Sequence, residues 1–142
     1  MAVLPVVDMH ACMPLLPRQT LATRWHFQAL AHNRLVTRYC GHCERHQFPP
    51  LDWCPGCGAR DSRWRELAGT GTLYASTRMH AVADAFRPFA PVTVGVVDLV
   101  EGVRVLAWLL SPELVPDAPV QLVSLRFDDG NLLGARLLEE TT

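Results

Sequence analysis

Four of the five cysteines lie in one short segment, at positions suited to binding a metal ion. They form two C-x2-C pairs separated by ten residues: Cys40, Cys43, Cys54 and Cys57. Each pair belongs to a tight turn, and a hairpin brings two such turns together around one tetrahedral ion. Glycine and proline in CGHC and CPGCG let backbone amides point toward the sulfur atoms. The spacing therefore predicts a zinc ribbon.

Four cysteine ligands leave no coordination position for water or substrate, so the predicted metal has a structural role. We expect the neighbouring His42 and His46 to be surface residues of the hairpin and not ligands. Iron binds to the same four sulfur atoms in rubredoxin-like sites, so zinc is the default and iron stays open. Disulfides are disfavoured because Cys12 makes the count odd and the first 17 residues lack the features of a secretory signal.

Outside the cysteine motif, the sequence shows no nucleophile beside a base and no pair of catalytic carboxylates. His80 and Asp84 could form an acid/base pair, but this spacing is common in loops. Nothing around Cys12 marks it as a nucleophile, and we expect it to be a small buried or partner-facing residue. The sequence therefore predicts a chain that is not an enzyme.

The charges are distributed unevenly along the 142 residues, although the net charge is only −1. Residues 18–66 carry eight arginines and four acidic residues, whereas residues 67–142 carry five arginines and nine acidic residues. The first half is thus basic and the second acidic, which disfavours general nucleic-acid binding. No apolar run approaches the length of a membrane span, and we expect a cytoplasmic protein.

The first 40 residues suggest an arm, a helix and a strand that lead into the first cysteine pair. Residues 1–19 are apolar but interrupted by prolines, which predicts an extended arm that docks partly on the ribbon and partly on another protein. Thr20 is suited to cap a helix that ends near Asn33. Trp25 and Phe27 lie on its apolar face and either pack internally or form a partner surface.

After the second cysteine pair, the pattern becomes that of short β-strands. Gly69 and Gly71 precede a β-branched and aromatic stretch, where they fit the bends of a small closed sheet. Two hairpins follow, with strands predicted at residues 92–100, 103–110, 120–127 and 132–138. About five strands favour a Greek-key barrel of the OB type over a sandwich, which needs about seven.

The segments FQALAHNRLVTRYCGHC, FPPLDWCPGCG, ELAGTGTLYASTRM and VGVVDLVEGVRV together resemble a known family. This is the family of acyl-CoA-associated proteins that join an N-terminal helix and a rubredoxin-like zinc ribbon to a C-terminal OB-fold. The resemblance covers residues 14–138. It implies a mostly β fold with an N-terminal arm and helix at residues 1–36, a zinc ribbon at residues 37–66 and an OB-fold domain at residues 67–142.

Proteins of this family are similar in being subunits or fused domains that sit against enzymes acting on CoA thioesters, among them thiolase-superfamily enzymes, acyltransferases, hydratases and aldolases. The resemblance therefore implies a non-catalytic accessory subunit that binds such an enzyme and helps to bind or channel acyl-CoA. The alternative is a nucleic-acid-binding module, since ribbons and OB-folds also serve that purpose. The acidic barrel half and its few aromatic residues make nucleic acid the weaker hypothesis.

A CoA thioester has an apolar-tolerant arm and a phosphate-bearing end, which a cleft between basic ribbon and apolar barrel would match. We expect Arg34 and Arg38 to contribute positive charge from the helix and ribbon. Trp108 would contribute apolar surface from the barrel, in a wall that also contains Val94, Val96 and Leu106. Arg34, Arg38 and Trp108 are therefore the predicted acyl-CoA contacts.

Overall fold

The computed structural model describes residues 3–14, 18–111 and 114–138. Parts of the predicted arm (residues 1, 2 and 15–17) and of the predicted OB-fold (residues 112, 113 and 139–142) lie outside this range. Among the described residues, no helix is long and apolar enough to cross a bilayer. The described elements are β1 (Val6–Asp8), α1 (Arg24–Ala31), β2 (Val36–Cys40), β3 (Arg45–Gln47), β4 (Arg63–Glu66), β5 (Thr70–Met79), a 3-10 helix (Asp84–Phe89), β6 (Val92–Leu99), β7 (Arg104–Leu109), β8 (Pro119–Phe127) and β9 (Gly130–Leu137).

Strands β5 to β9 form a closed barrel with OB-fold connectivity, which confirms the predicted fold class. The strands follow the order β8-β5-β6-β7-β9, and β9 pairs with β8 to close the sheet. Both predicted hairpins are present, as the antiparallel pairs β6–β7 and β8–β9. Gly69 has a φ of +82°, and a Cβ atom at Gly71 would collide with the Asp98 carbonyl oxygen. Glycine is therefore required where the chain enters the barrel.

The ribbon is a three-stranded antiparallel sheet in the order β3-β2-β4, and it packs with α1 and the barrel around one core. Leu30 of α1 and Leu35, which precedes β2, share this core with Leu67 and the buried barrel side chains. The helix is shorter than predicted because residues 20–23 form a turn, in which the Thr23 amide donates to the Thr20 carbonyl. Asn33 is in the left-handed region with a φ of +64°, which ends the helix.

The N-terminal arm belongs to the barrel sheet, which corrects the prediction that its docking site on this chain is the ribbon. Strand β1 pairs in parallel with residues Ser124, Leu125 and Arg126 of β8. The same strand β8 pairs with β5 only at residues 119–121, which leaves part of its edge open to β1. Prolines exclude the arm from a central strand, but an edge strand can be preceded and followed by prolines in the sequence.

Candidate functional site

The four cysteines of the doubled motif converge into one cluster, with all of their sulfur atoms within 4.8 Å of one another. The Cys40 and Cys57 sulfurs are 3.7 Å apart, as are the Cys43 and Cys54 sulfurs. A tetrahedron with metal–sulfur bonds of about 2.3 Å has sulfur–sulfur edges of roughly 3.8 Å, so the cluster fits one tetrahedral ion. The four cysteines are thus positioned to bind a metal ion.

Local backbone structure places each sulfur of the cluster. Cys40 is the last residue of β2, and Cys43 lies in the turn that leads to β3. In the second turn, the Cys54 amide donates to the Ala59 carbonyl, and the Cys54 carbonyl accepts from the Gly58 amide. Gly58 takes a φ of +75°, which is typical of glycine at such a turn. These backbone bonds shape the turn that carries the second pair of ligands.

The surroundings of the sulfurs separate their pKa values. Burial raises the pKa of the Cys54 thiol, but backbone amides of Cys57 and Gly56 outweigh it and lower that pKa to about 6. Hydrogen bonds with the sulfurs of Cys57 and Cys54 raise the pKa of Cys43 to about 12. Four thiolates this close repel one another unless a cation neutralises them. This donor set favours a thiolate-binding metal such as zinc.

Both histidines beside the motif lie outside the sulfur cluster. His42 is exposed, with its Nε2 atom 3.2 Å from a carboxylate oxygen of Asp61. The half-buried His46 has its ring 4.9 Å from the ring of Tyr39. Neither belongs to the group of potential metal ligands, in agreement with the prediction that they are surface residues.

The two predicted CoA-binding arginines already have protein partners. The Nε atom of Arg34 is 3.7 Å from a Glu66 carboxylate oxygen. The guanidinium of Arg38 lies 4.5 Å from the ring centre of Trp64, and its Nη1 atom donates to the Ser62 carbonyl. Arg38 therefore packs against the ribbon, while Arg34 lines a cavity beside α1 that also contains Trp25.

The predicted apolar wall forms the outer face of strands β6 and β7. Val94 faces Trp108 and Val96 faces Leu106 across the two strands, so the four side chains share one side of the sheet. Leu106 is 64% exposed, whereas the alternate residues Val105 and Ala107 are buried in the barrel. A shallow depression of about 220 Å³ lies on this face. The wall is therefore a surface of the barrel and not part of its interior.

Trp108 stands at one end of this wall, in an aromatic cluster. Its ring centre is 5.6 Å from that of Phe89 in the 3-10 helix and 6.0 Å from that of Phe127 in β8. Trp108 is only half-buried, so part of its side chain is exposed. The structure thus separates Trp108 on the barrel from Arg34 and Arg38 on the helix–ribbon side.

A cleft does lie between ribbon and barrel, as the sequence predicted, but different residues line it. It has a volume of about 350 Å³ and is bordered by Arg45 and Leu51 of the ribbon and Arg104 of the barrel. The Arg104 guanidinium stacks on Tyr74 at 3.8 Å and pairs with Asp98 at 2.7 Å. Sequence reasoning missed these residues because only the strand register shows which side chains face the cleft.

The residues considered for catalysis do not form a catalytic set. Asp84 pairs with Arg87 at 3.0 Å, with both side chains largely exposed, and His80 lies in an exposed bend. Cys12 is exposed, with its sulfur 3.9 Å from an Asp128 carboxylate oxygen. In the part of the chain that the structure describes, Asp84 is thus paired with Arg87 and not with His80, and the side-chain partner of Cys12 is a carboxylate and not a histidine.

Two family models together match residues 27–138. The rubredoxin-like zinc ribbon domain of ChsH2 matches residues 27–63, and the C-terminal OB-fold domain of ChsH2 matches residues 64–138. The chain belongs to the ChsH2 family. This confirms the predicted combination of a zinc ribbon with an OB-fold.

The chain is similar to two curated proteins over part of their length. It is 36% identical over 92 residues, 64% of this chain, to a protein of Thermomonospora curvata named "Probable enoyl-CoA hydratase alpha subunit". It is 31% identical over 73 residues, 50% of this chain, to a "DUF35 domain-containing scaffold protein" of Methanocaldococcus jannaschii. The matches span only 28% and 51% of those proteins.

Solved structures agree with the family assignment. This chain is similar to a chain of the "Ltp2-ChsH2(DUF35) aldolase", with 31% identity and a TM-score of 0.76 over 86% of this chain and 98% of that one. A DUF35-family protein of unknown function from Sulfolobus solfataricus has the same fold, with 15% identity and a TM-score of 0.63 over 84% of this chain and 87% of that one. The second of these likenesses shows the fold alone.

Proposed function

We propose that this chain is a non-catalytic accessory subunit of an enzyme that acts on CoA thioesters, with a thiolase-superfamily enzyme as the expected partner. The observation that carries the proposal is the likeness over most of the chain to the Ltp2-ChsH2(DUF35) aldolase, whose name joins a ChsH2 component to a second protein. The four-cysteine cluster supports the non-catalytic part, because four sulfur ligands leave no position for substrate on the metal.

In this proposal the metal is zinc, and its role is to hold the ribbon in shape. Zinc suits four thiolate ligands in a tetrahedral arrangement and has no redox chemistry of its own. The sulfur spacing also accepts iron. Metal analysis of protein purified without added metal distinguishes the two, because bound iron would give a coloured, redox-active protein.

The outer wall of the barrel supports an acyl-CoA role that depends on a partner. Its depression of about 220 Å³ is smaller than the roughly 300–1,000 Å³ of enclosed small-molecule pockets. The wall needs a second surface to enclose an acyl arm, and a bound enzyme subunit would supply it. We propose that Trp108 contributes to this wall and Arg34 to the basic side, whereas Arg38 serves the ribbon through Trp64.

We also propose that the arm and helix (1–36), the ribbon (37–66) and the OB-fold (67–142) act as one rigid block. Leu4 of the arm, Leu30 of the helix and Leu67 at the start of the barrel all belong to one buried core. A block of this kind can hold the wall and the ribbon at a fixed angle to a partner.

The test is reconstitution with a CoA-thioester enzyme chosen from the genes that neighbour the gene of this chain. We expect the two purified proteins to co-elute as one complex in size-exclusion chromatography with light scattering. We expect the isolated chain to show no acyl transfer, hydration or cleavage of CoA thioesters. Turnover by the isolated chain would contradict the proposal, and so would failure to form a complex with any CoA-thioester enzyme from the same gene neighbourhood.

A further inference from the structure

One face of the ribbon sheet concentrates aromatic and basic side chains; we call it the Tyr39 face. Tyr39 on β2 lies opposite His46 on β3 and Arg63 on β4, and the neighbouring Thr37 lies opposite Arg65. Cross-strand partners project from the same side of a sheet, so these side chains form one surface. Arg38 alternates with Tyr39 along β2 and projects from the opposite side.

Arg65 is held over Tyr39 in a stacked geometry. Its guanidinium carbon lies 3.8 Å from the centre of the Tyr39 ring. Stacking of this kind fixes the plane of the guanidinium while its N–H edge stays open to an oxyanion. Within the described residues, neither Arg65 nor Arg63 forms an ion pair with a carboxylate. The protein therefore fixes a cation without neutralising it.

These side chains border a depression of about 430 Å³. Its lining consists of Tyr39, Gly41, His42, Asp61, Arg63 and Arg65. Asp61 is the only acidic residue among them, and its carboxylate already faces His42 at 3.2 Å. Two arginines thus leave the depression positively charged, and Tyr39 is the aromatic residue that borders it. The planar guanidinium group of an arginine can donate two parallel hydrogen bonds, and this geometry matches the oxygens of a phosphate monoester.

We propose that the Tyr39 face binds a phosphate monoester, and that in the proposed acyl-CoA role this is the 3′-phosphate of the CoA adenosine. The identification as CoA rests on the proposed function, whereas the phosphate chemistry rests on Arg63, Arg65 and Tyr39. A single-stranded nucleic acid would need successive aromatic platforms. On this face the Tyr39 ring is already covered by the Arg65 guanidinium, which favours a single phosphate group over a stacked strand.

Isothermal titration of the zinc-loaded chain with three probes tests the site. Acetyl-CoA is the first probe, because its blocked thiol cannot remove zinc. Acetyl-dephospho-CoA lacks the 3′-phosphate, and inorganic phosphate lacks the nucleoside. We expect acetyl-CoA to bind at least about ten-fold more tightly than acetyl-dephospho-CoA, and inorganic phosphate to compete weakly. Equal affinities for the two thioesters would overturn the proposal.

Variants locate the binding to the Tyr39 face. Arg65→Ala and Arg63→Ala should each weaken acetyl-CoA binding about ten-fold or more, and Arg65→Lys should restore only part of the loss because lysine lacks the planar fork. Arg78→Ala is the matched control: Arg78 is exposed on β5 and projects from the barrel. Zinc content and circular dichroism identify any variant that misfolds, and Tyr39→Leu then replaces it as a test of the stack.

The outcomes separate this site from the accessory role. Loss of affinity in Arg65→Ala with Arg78→Ala unchanged supports the site, whether or not the chain co-elutes with an enzyme. Acetyl-CoA binding that survives both Arg63→Ala and Arg65→Ala refutes the site and leaves the accessory role intact. Tighter binding of a single-stranded oligonucleotide than of acetyl-CoA, lost in Arg65→Ala, would also overturn the proposal, because the face would then serve nucleic acid.

Discussion

At the scale of single residues, the metal cluster is where the sequence was most informative. The C-x2-C spacing restricts each pair of sulfurs to one turn, so the cluster could be predicted without any knowledge of the barrel. The partners of Arg34 and Arg38, in contrast, could not be predicted from the sequence. Arg34 pairs with Glu66, and Arg38 packs on Trp64. The stacking of Arg65 on Tyr39 likewise depends on the register between β2 and β4.

Replacing one cysteine should remove the metal and with it the folded ribbon. Cys54 is buried and belongs to the sulfur cluster. Binding of a structural zinc can contribute on the order of 10 kcal/mol to folding. We therefore expect Cys54→Ser to lose bound metal, measured by elemental analysis, and most of the soluble yield. Cys12→Ser is the control and should keep both. Two disulfides by mass spectrometry in the wild-type chain would contradict the metal assignment.

His26 should make stability depend on pH. It is buried in α1, where its Nδ1 atom donates to the Val36 carbonyl and its ring packs edge-on against Phe27 and Phe48. Burial lowers its pKa below the ordinary value of 6.5, although the bond to Val36 opposes this. The neutral ring is thus favoured in the folded state, and the unfolded chain takes up the proton first.

The contribution of His26 is therefore complete above pH 6.5 and is lost as the pH falls from 6.5 toward the lowered pKa. Urea denaturation of the zinc-loaded protein at about pH 7 and pH 5 measures it. His26→Gln should be less stable at neutral pH but should show a flatter pH dependence. Equal slopes in the two proteins would refute this role.

At the scale of elements, the strands of the barrel could be predicted because alternation and turn residues mark them locally. The hairpin β6–β7 is the clearest case, with Gly102 at a φ of +89° in its turn. The pairing of β1 with β8 could not be predicted, since it joins residues that are far apart in sequence. The alternation of residue types along a strand also does not show which side faces the barrel interior. The exposure of Leu106 could therefore be seen only in the closed barrel.

The arm should contribute substantially to stability, because it is part of the barrel. Leu4 is 2% exposed in the main core, whereas the adjacent Val3 is 58% exposed. We expect Leu4→Ala to lower the free energy of unfolding by about 2–5 kcal/mol. Val3→Ala, the matched control, should change it by no more than about 0.5 kcal/mol. Denaturant titration measures both, and an equally small effect of the two substitutions would show that the arm is not docked.

At the scale of the whole molecule, one continuous core joins arm, helix, ribbon and barrel, and the interaction surfaces lie on its outside. The family resemblance anticipated the order of the units but not this shared core, which depends on how leucines from separate segments meet. In the proposed rigid block, the apolar wall lies on the barrel and the Tyr39 face on the ribbon. The proposed function requires a partner enzyme that covers the wall and completes an acyl-CoA site.

The wall should affect assembly and not folding. Leu106 is 64% exposed at its centre, so a charge there costs little in the free chain. We expect Leu106→Glu to keep the wild-type melting temperature and zinc content while weakening binding to the partner enzyme at least about ten-fold, because the charge is buried on docking. Val100→Glu, at a 69% exposed position beyond β6, is the control. Unchanged affinity in Leu106→Glu would place the interface elsewhere.

The most direct test of the accessory role is the rate of CoA-thioester turnover by the neighbouring enzyme as this chain is added at increasing concentration. The account predicts no turnover by the chain alone and a rate for the enzyme that changes and then saturates at a fixed ratio of the two proteins. It predicts the same ratio from light scattering of the complex. Turnover by the chain alone, or an enzyme rate that is independent of the chain at every concentration, would contradict it.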